Sequence, residues 1–249
     1  MNSVRPTVQH YAAYTPEDFE VWRTLFNRQM QLLQPSASSL YLDALHHIGF
    51  TANHIPDFGK INPRMRAATG WQLQVVPGLA PQQEFFRALA GRSFTATCWL
   101  RTMARLDYIE EPDMFHDVFG HAPLLVNKDY AAFLEGFSHI ALRWLHDERA
   151  VALLGRVYWF TIEFGLIREN HETKVFGAGI LSSPGETLHS LDGAVPRHAF
   201  DLERMLQTGY RTDALQEHYF VLESFEQLRQ SLADLETLLV LQLKQEPYC

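Results

Sequence analysis

The chain has 249 residues, 47% of them hydrophobic and 20% charged, with a formal net charge of -8; that length allows one large domain or two small ones, with a substantial core. A nucleic-acid partner asks for a basic face, which this balance does not offer, and no apolar run approaches the ~20 residues of a membrane span. Two cysteines, Cys98 and Cys249, imply no disulfide framework, and the start MNSVRPTVQHYAAY lacks an apolar signal stretch, so a cytoplasmic enzyme acting on small molecules is expected, with no membrane partner.

Thr15, Pro16, Glu17 and Asp18 predict a helix start, a threonine cap followed by proline and two acids. Phe19, Trp22, Phe26, Met30 and Leu33 continue it at helical spacing. A second helix is expected over about 39–47, ending at Gly49, and HIPDFGKINP reads as loop from its proline and glycine content. WQLQVVPG alternates like a strand entering a turn, PQQEFFRALAG reads as a helix closed by Gly91, and SFTATCWL is strand-like. From Asn127 to about Asn170 the pattern is helical, as two long helices meeting near 147–150. KVFGAGILSSPGE is expected as loop or short strand, and ESFEQLRQSLADLETLLVLQL as one amphipathic helix. No repeat or linker interrupts the chain. One mostly α domain with a few short strands, an α+β fold over residues 1–249, is the simplest organisation.

Within EEPDMFHDVFGHAPLL, His116 and His121 lie five residues apart. On an α-helix residues four apart differ by about 40° in azimuth and residues five apart by about 140°. The spacing therefore predicts a helix that ends between them, broken by Gly120 and Pro123, with His116 on the last turn and His121 in the following loop. Two histidines hydrogen-bonded in a core is the plainer reading of the bare pair. Glu163 sits in VYWFTIEFGLIREN among Tyr158, Trp159, Phe160, Ile162, Phe164, Leu166 and Ile167. A carboxylate buried there needs a partner, either Arg143 or Arg156, or a cation shared with His116 and His121. Two imidazoles and a carboxylate on one face of an octahedral ion are the ligands of non-haem Fe(II) oxygenases. Zinc hydrolases share that set, but the spacing here lacks their HExxH glutamate.

EPDMFHDVFGHAPLL, VYWFTIEFGL and FGAGILSSPGE, in this order and spacing, resemble the pterin-dependent aromatic amino acid hydroxylases, most nearly their short bacterial phenylalanine-hydroxylating branch. The resemblance runs from about Thr69 to Phe225. It implies iron held by His116, His121 and Glu163, with Asp113 orienting the site. VVPGLAPQQEFF resembles the pterin loop, which implies the backbone of Gly78 and Leu79 at the pterin edge and Phe85 stacked on its ring. Asp117 matches an acid facing the pterin, where the family more often has Glu, and Tyr158 lines the same region. For the free amino acid substrate, Arg101 matches the arginine that grips the carboxylate. Ile109, Pro112, Trp159 and Phe164 match the surroundings of the aromatic ring, with Gly179 and Ser182 on the bordering loop. Read without the resemblance, Phe85 is a core helix residue and Arg101 a surface arginine after a strand.

The implied activity is a Fe(II)- and tetrahydropterin-dependent monooxygenation, O₂ being the co-substrate, with L-phenylalanine to L-tyrosine the expected reaction. Trp159 favours a pocket sized for one six-membered ring. Ile109-Glu110 and Thr212 depart from the bacterial pattern and leave tryptophan, or another carbon of phenylalanine, as the alternative. A monomer without regulatory domain or tetramerisation tail is expected.

Overall fold

In the computed structural model, which describes residues 5–107 and 110–245, the first helix starts where the sequence predicts. The Thr15 hydroxyl accepts the Asp18 N–H at 3.2 Å while Asp18 Oδ2 accepts the Thr15 N–H at 2.7 Å, closing a capping box. This α1 (Pro16–Ser36) is followed by α2 (Ser39–Ile48), ended by Gly49 at φ 82°. The segment expected to be loop forms α3 (Phe58–Thr69). Asp57 caps it through the Gly59 N–H, and the buried Phe58, Ile61 and Met65 recur at helical spacing, which outweighs the local proline and glycine content.

β1 (Gln72–Val75), α4 (Gln82–Ala90) and β2 (Ser93–Ala96) follow as expected, and β1 pairs parallel with β2. The long helical stretch is α5 (Lys128–Trp144) and α6 (Glu148–Tyr158), joined at Asp147, which caps α6 through the Arg149 and Ala150 N–H groups. It ends earlier than the apolar pattern suggests. After Glu163 the chain turns at Gly165 into β3 (Leu166–Glu169), which returns antiparallel as β4 (Glu172–Val175). Asn170 and His171, both at positive φ, form the tight turn that a right-twisted hairpin requires.

KVFGAGILSSPGE becomes the end of β4 and two short helices, α7 (Ala178–Leu181) and α8 (Pro184–Ser190). β5 (Arg197–Ala199), α9 (Leu202–Gln207) and β6 (Tyr219–Leu222) complete a four-stranded sheet in the order β4-β3-β6-β5. The expected single last helix is two, α10 (Phe225–Gln230) and α11 (Leu232–Gln245), interrupted at Ser231, whose hydroxyl bonds the Leu228 carbonyl.

The mostly helical α+β expectation holds. The core is aromatic where it meets the site: Phe115 and Phe119 stack at 4.6 Å and Trp22 of α1 meets Phe115 at 5.6 Å. Cys98 is buried as a free thiol. Among the described residues no helix is long and apolar enough to cross a membrane.

Candidate metal centre and adjoining cavity

Phe115–His121 is one continuous helical segment with π character, so the expected break between the two histidines does not occur. Widening the hydrogen-bonded ring from i→i+4 to i→i+5 turns residues five apart toward a common face. The imidazoles of His116 and His121 consequently lie 5.2 Å apart, ring to ring. Gly120 has a different task from the one expected. A Cβ there would meet Ala178 Cβ and its carbonyl oxygen at 3.0 Å, so glycine lets this helix lie against α7. Pro123 begins the next short helix (Pro123–Val126), after both histidines.

Glu163 closes a second π-helical turn, Trp159–Glu163, marked by the Phe164 N–H bonded to the Trp159 carbonyl at 2.8 Å. Its Oε1 lies 3.2 Å from His121 Nε2 and its Oε2 3.7 Å from His116 Nε2. The arginines weighed as partners are engaged elsewhere: Arg143 pairs with Glu236, and Arg156 donates to the Leu206 carbonyl. Burial would push the Glu163 carboxyl up, yet the two imidazoles hold it below its ordinary range.

The donor set suits a metal ion. The Ser182 hydroxyl donates its one proton to the Ala178 carbonyl at 2.8 Å, so toward His116 Nδ1, 2.9 Å away, it accepts. With the Nδ1 proton directed to Ser182, Nε2 is left as the atom that could bind a cation shared with Glu163. The three ligand atoms lie within 4.8 Å of one another; an octahedral ion bound at about 2.1 Å spaces neighbouring donors about 3 Å apart. His121 is fixed by packing, its ring 4.6 Å from Phe94.

Asp113 caps the metal helix, Oδ1 accepting the Phe115 and His116 N–H groups, and it also binds Arg101. Arg101 Nε and Nη2 reach the two carboxylate oxygens at 2.8 and 2.9 Å, and its Nη1 bonds the Leu106 carbonyl. With side chains 8% and 0% exposed, this pair is interior, so Arg101 is not a surface arginine.

A cavity of about 230 Å³ opens beside the three ligands. It is lined by Gly78, Leu79, Phe85, Asp117 and Tyr158, all five of the expected pterin positions, and by Pro112. Phe85 meets Tyr158 edge-on at 5.9 Å. Burial pushes the Asp117 carboxyl up, with the nearby His116 and the Thr97 N–H, at 2.8 Å, opposing it. Burial likewise raises the Tyr158 phenol, and the Glu163 charge adds to this. Thr95, Thr97 and Phe94 also line the cavity and were not foreseen, because SFTATCWL reads as an ordinary apolar strand.

Trp159, Phe164, Gly179 and Ser182 do not line this cavity but form a cluster around its metal end. The Trp159 and Phe164 rings are 4.5 Å apart, a Cβ on Gly179 would stand 2.7 Å from Phe164 Cζ, and Ser182 touches His116. Arg101 does not line the cavity and is held on Asp113, and Ile109 falls outside the described residues.

The family model for biopterin-dependent aromatic amino acid hydroxylases matches residues 6–248, and the chain belongs to that family. It is 45% identical over 216 residues to the phenylalanine-4-hydroxylase of Chromobacterium violaceum, covering 86% of this chain and 72% of the relative. The phenylalanine-4-hydroxylase of Ralstonia nicotianae is 44% identical, with 86% and 69% covered. A crystal structure of the Chromobacterium violaceum enzyme with bound iron(III) and oxidised 7,8-dihydrobiopterin superimposes with a TM-score of 0.90 at 42% identity, covering 98% of this chain and 88% of that one. The activity is thus an iron- and pterin-dependent aromatic amino acid monooxygenation of the phenylalanine 4-hydroxylase type.

Proposed function

We propose that the enzyme converts L-phenylalanine to L-tyrosine, with His116, His121 and Glu163 holding iron(II) and a tetrahydropterin lying in the adjoining cavity. The observation that carries this reading is the juxtaposition of a two-histidine, one-carboxylate cluster with a cavity walled by Phe85, Phe94 and Tyr158. When bound, iron(II) and the tetrahydropterin supply the electrons that split O₂, one oxygen atom going to the substrate ring. The protein's residues orient and exclude water. Phe85 offers an aromatic face to the pterin ring, the Gly78 and Leu79 backbone and the Asp117 carboxylate meet its polar edges, and Tyr158 closes the rear wall.

Arg101 receives the substrate carboxylate. Asp113 takes one N–H from Nε and one from Nη2, and the Leu106 carbonyl takes one from Nη1, leaving a donor on each terminal nitrogen for a two-point contact. Pro112, Trp159 and Phe164 wall the ring, with Gly179 and Ser182 at its border. Asp113 sets the metal helix and Arg101 together, so iron and substrate share one frame of reference.

The protein acts as a single catalytic domain, a monomer in the cytoplasm. One continuous apolar core supports the first point, and the scatter of exposed apolar side chains over separate elements, Leu40, Met103, Leu188 and Leu241 among them, supports the second. Light scattering should give a mass near 28.7 kDa rather than a multiple of it. For the reaction, the iron(II) enzyme is given a tetrahydropterin and phenylalanine, tyrosine or tryptophan separately, and products are identified by mass and retention. Tyrosine from phenylalanine is the expected main product. Preferential formation of 3-hydroxyphenylalanine or a hydroxytryptophan would overturn the ring assignment.

A further inference from the structure

Gln216 is 4% exposed and comes from the segment between α9 and β6, 57 residues from Trp159. Its Nε2 donates to the carbonyls of Arg211 at 2.9 Å and Ala214 at 3.1 Å. Only a nitrogen can face two carbonyls, so the amide has one sensible orientation, with Oε1 directed the other way. There Oε1 accepts the indole N–H of Trp159 at 2.7 Å. The backbone of Gln216 is anchored too: its N–H donates to the buried Glu186 at 3.2 Å, and His189 Nε2 lies 3.0 Å from its carbonyl. Tyr210, from the same segment, stacks on the indole at 4.4 Å and 16°.

Trp159 therefore does not take its side-chain position from α6 alone. The segment 208–218 grips the indole by face and by edge, while the backbone of Trp159 begins the turn that ends in Glu163. We infer that Gln216 is a positioning residue for substrate selection, holding the Trp159 indole at the setting that sizes the pocket for a phenyl ring. The inference rests on the reading of Trp159 as a wall of that pocket. Without the bond the indole can pivot about χ2, and the wall loses definition where the ring is held rather than where oxygen is delivered.

The test is a double-mutant cycle of Gln216→Met and Trp159→Phe on the iron-loaded enzyme. Read-outs are KM and kcat for phenylalanine, KM for the tetrahydropterin, and the preference for phenylalanine over tryptophan. Gln216→Met removes all three side-chain bonds and should raise the phenylalanine KM about tenfold, the worth of the one to the indole, with kcat within about threefold and the pterin KM unmoved. The preference for phenylalanine should fall in parallel. In the Trp159→Phe background, where no indole N–H exists, Gln216→Met should change KM by less than about twofold. A loss of the same size in both backgrounds would overturn the inference, since Gln216 would then act only by tying its own segment. If Trp159→Phe alone leaves KM and preference untouched, the pocket assignment falls and the inference with it. Should Gln216→Met fail to fold, replacing Trp159 by benzothienylalanine removes only the N–H and leaves Gln216 intact. The same rise in KM is expected, and a wild-type KM would overturn the inference.

Discussion

Asp113 does three things with two oxygens: it caps the metal helix, fixes the guanidinium of Arg101 and bonds the Arg101 N–H at 2.9 Å. Removing one partner of an interior pair leaves the other charge uncompensated, and such losses are of the order of 3–5 kcal/mol. Asp113→Ala should therefore lower stability by about that amount and raise the phenylalanine KM, read by urea unfolding and by kinetics. An unchanged urea midpoint would contradict the clamp. Phe85 tests the other side of the site. Phe85→Leu keeps apolar volume but removes the flat ring, so the tetrahydropterin KM should rise about tenfold, the upper range of a lost aromatic contact, while the amino acid KM stays put. An unaltered pterin KM would move the pterin elsewhere in the cavity.

At the level of elements, two π-helical turns, Phe115–His121 and Trp159–Glu163, present all three proposed ligands. The ligand types were legible in the sequence because a carboxylate amid Trp159, Phe160, Ile162 and Phe164 demands a partner. The helical form was not, because a π turn leaves no mark in apolar periodicity, and the five-residue spacing was read against α geometry instead. Gly120 is opaque for a similar reason, since a glycine required by a neighbour 58 residues away looks in sequence like a helix terminator. Helices with regular apolar spacing and a marked start or end, α1, α2 and α4, were legible, whereas β5 and β6 were not, being short and given their strand form by the sheet they join. Gly120→Ala should destabilise by about 1–3 kcal/mol, the usual cost of overpacking, and weaken iron retention by displacing His121. A wild-type melting temperature would show that α7 can yield.

Across the whole molecule, residues far apart in the chain converge on the metal cluster: the 78–85 loop and helix, β2, the metal helix, the turn at Glu163 and the α7–α8 segment. The resemblance in EPDMFHDVFGHAPLL, VYWFTIEFGL and FGAGILSSPGE made most of these residues legible before the fold was known. What it did not reveal were contacts made by tertiary packing alone, such as Gln216 on Trp159 or Thr97 on Asp117. The central claim is that His116, His121 and Glu163 hold the iron on which turnover depends. The most direct test is anaerobic iron(II) reconstitution of the wild type and Glu163→Ala, followed by O₂, a tetrahydropterin and phenylalanine. The wild type should retain iron and form tyrosine in proportion to iron bound, while the folded variant should retain little iron and form no tyrosine. Wild-type iron content and turnover in Glu163→Ala would contradict the assignment.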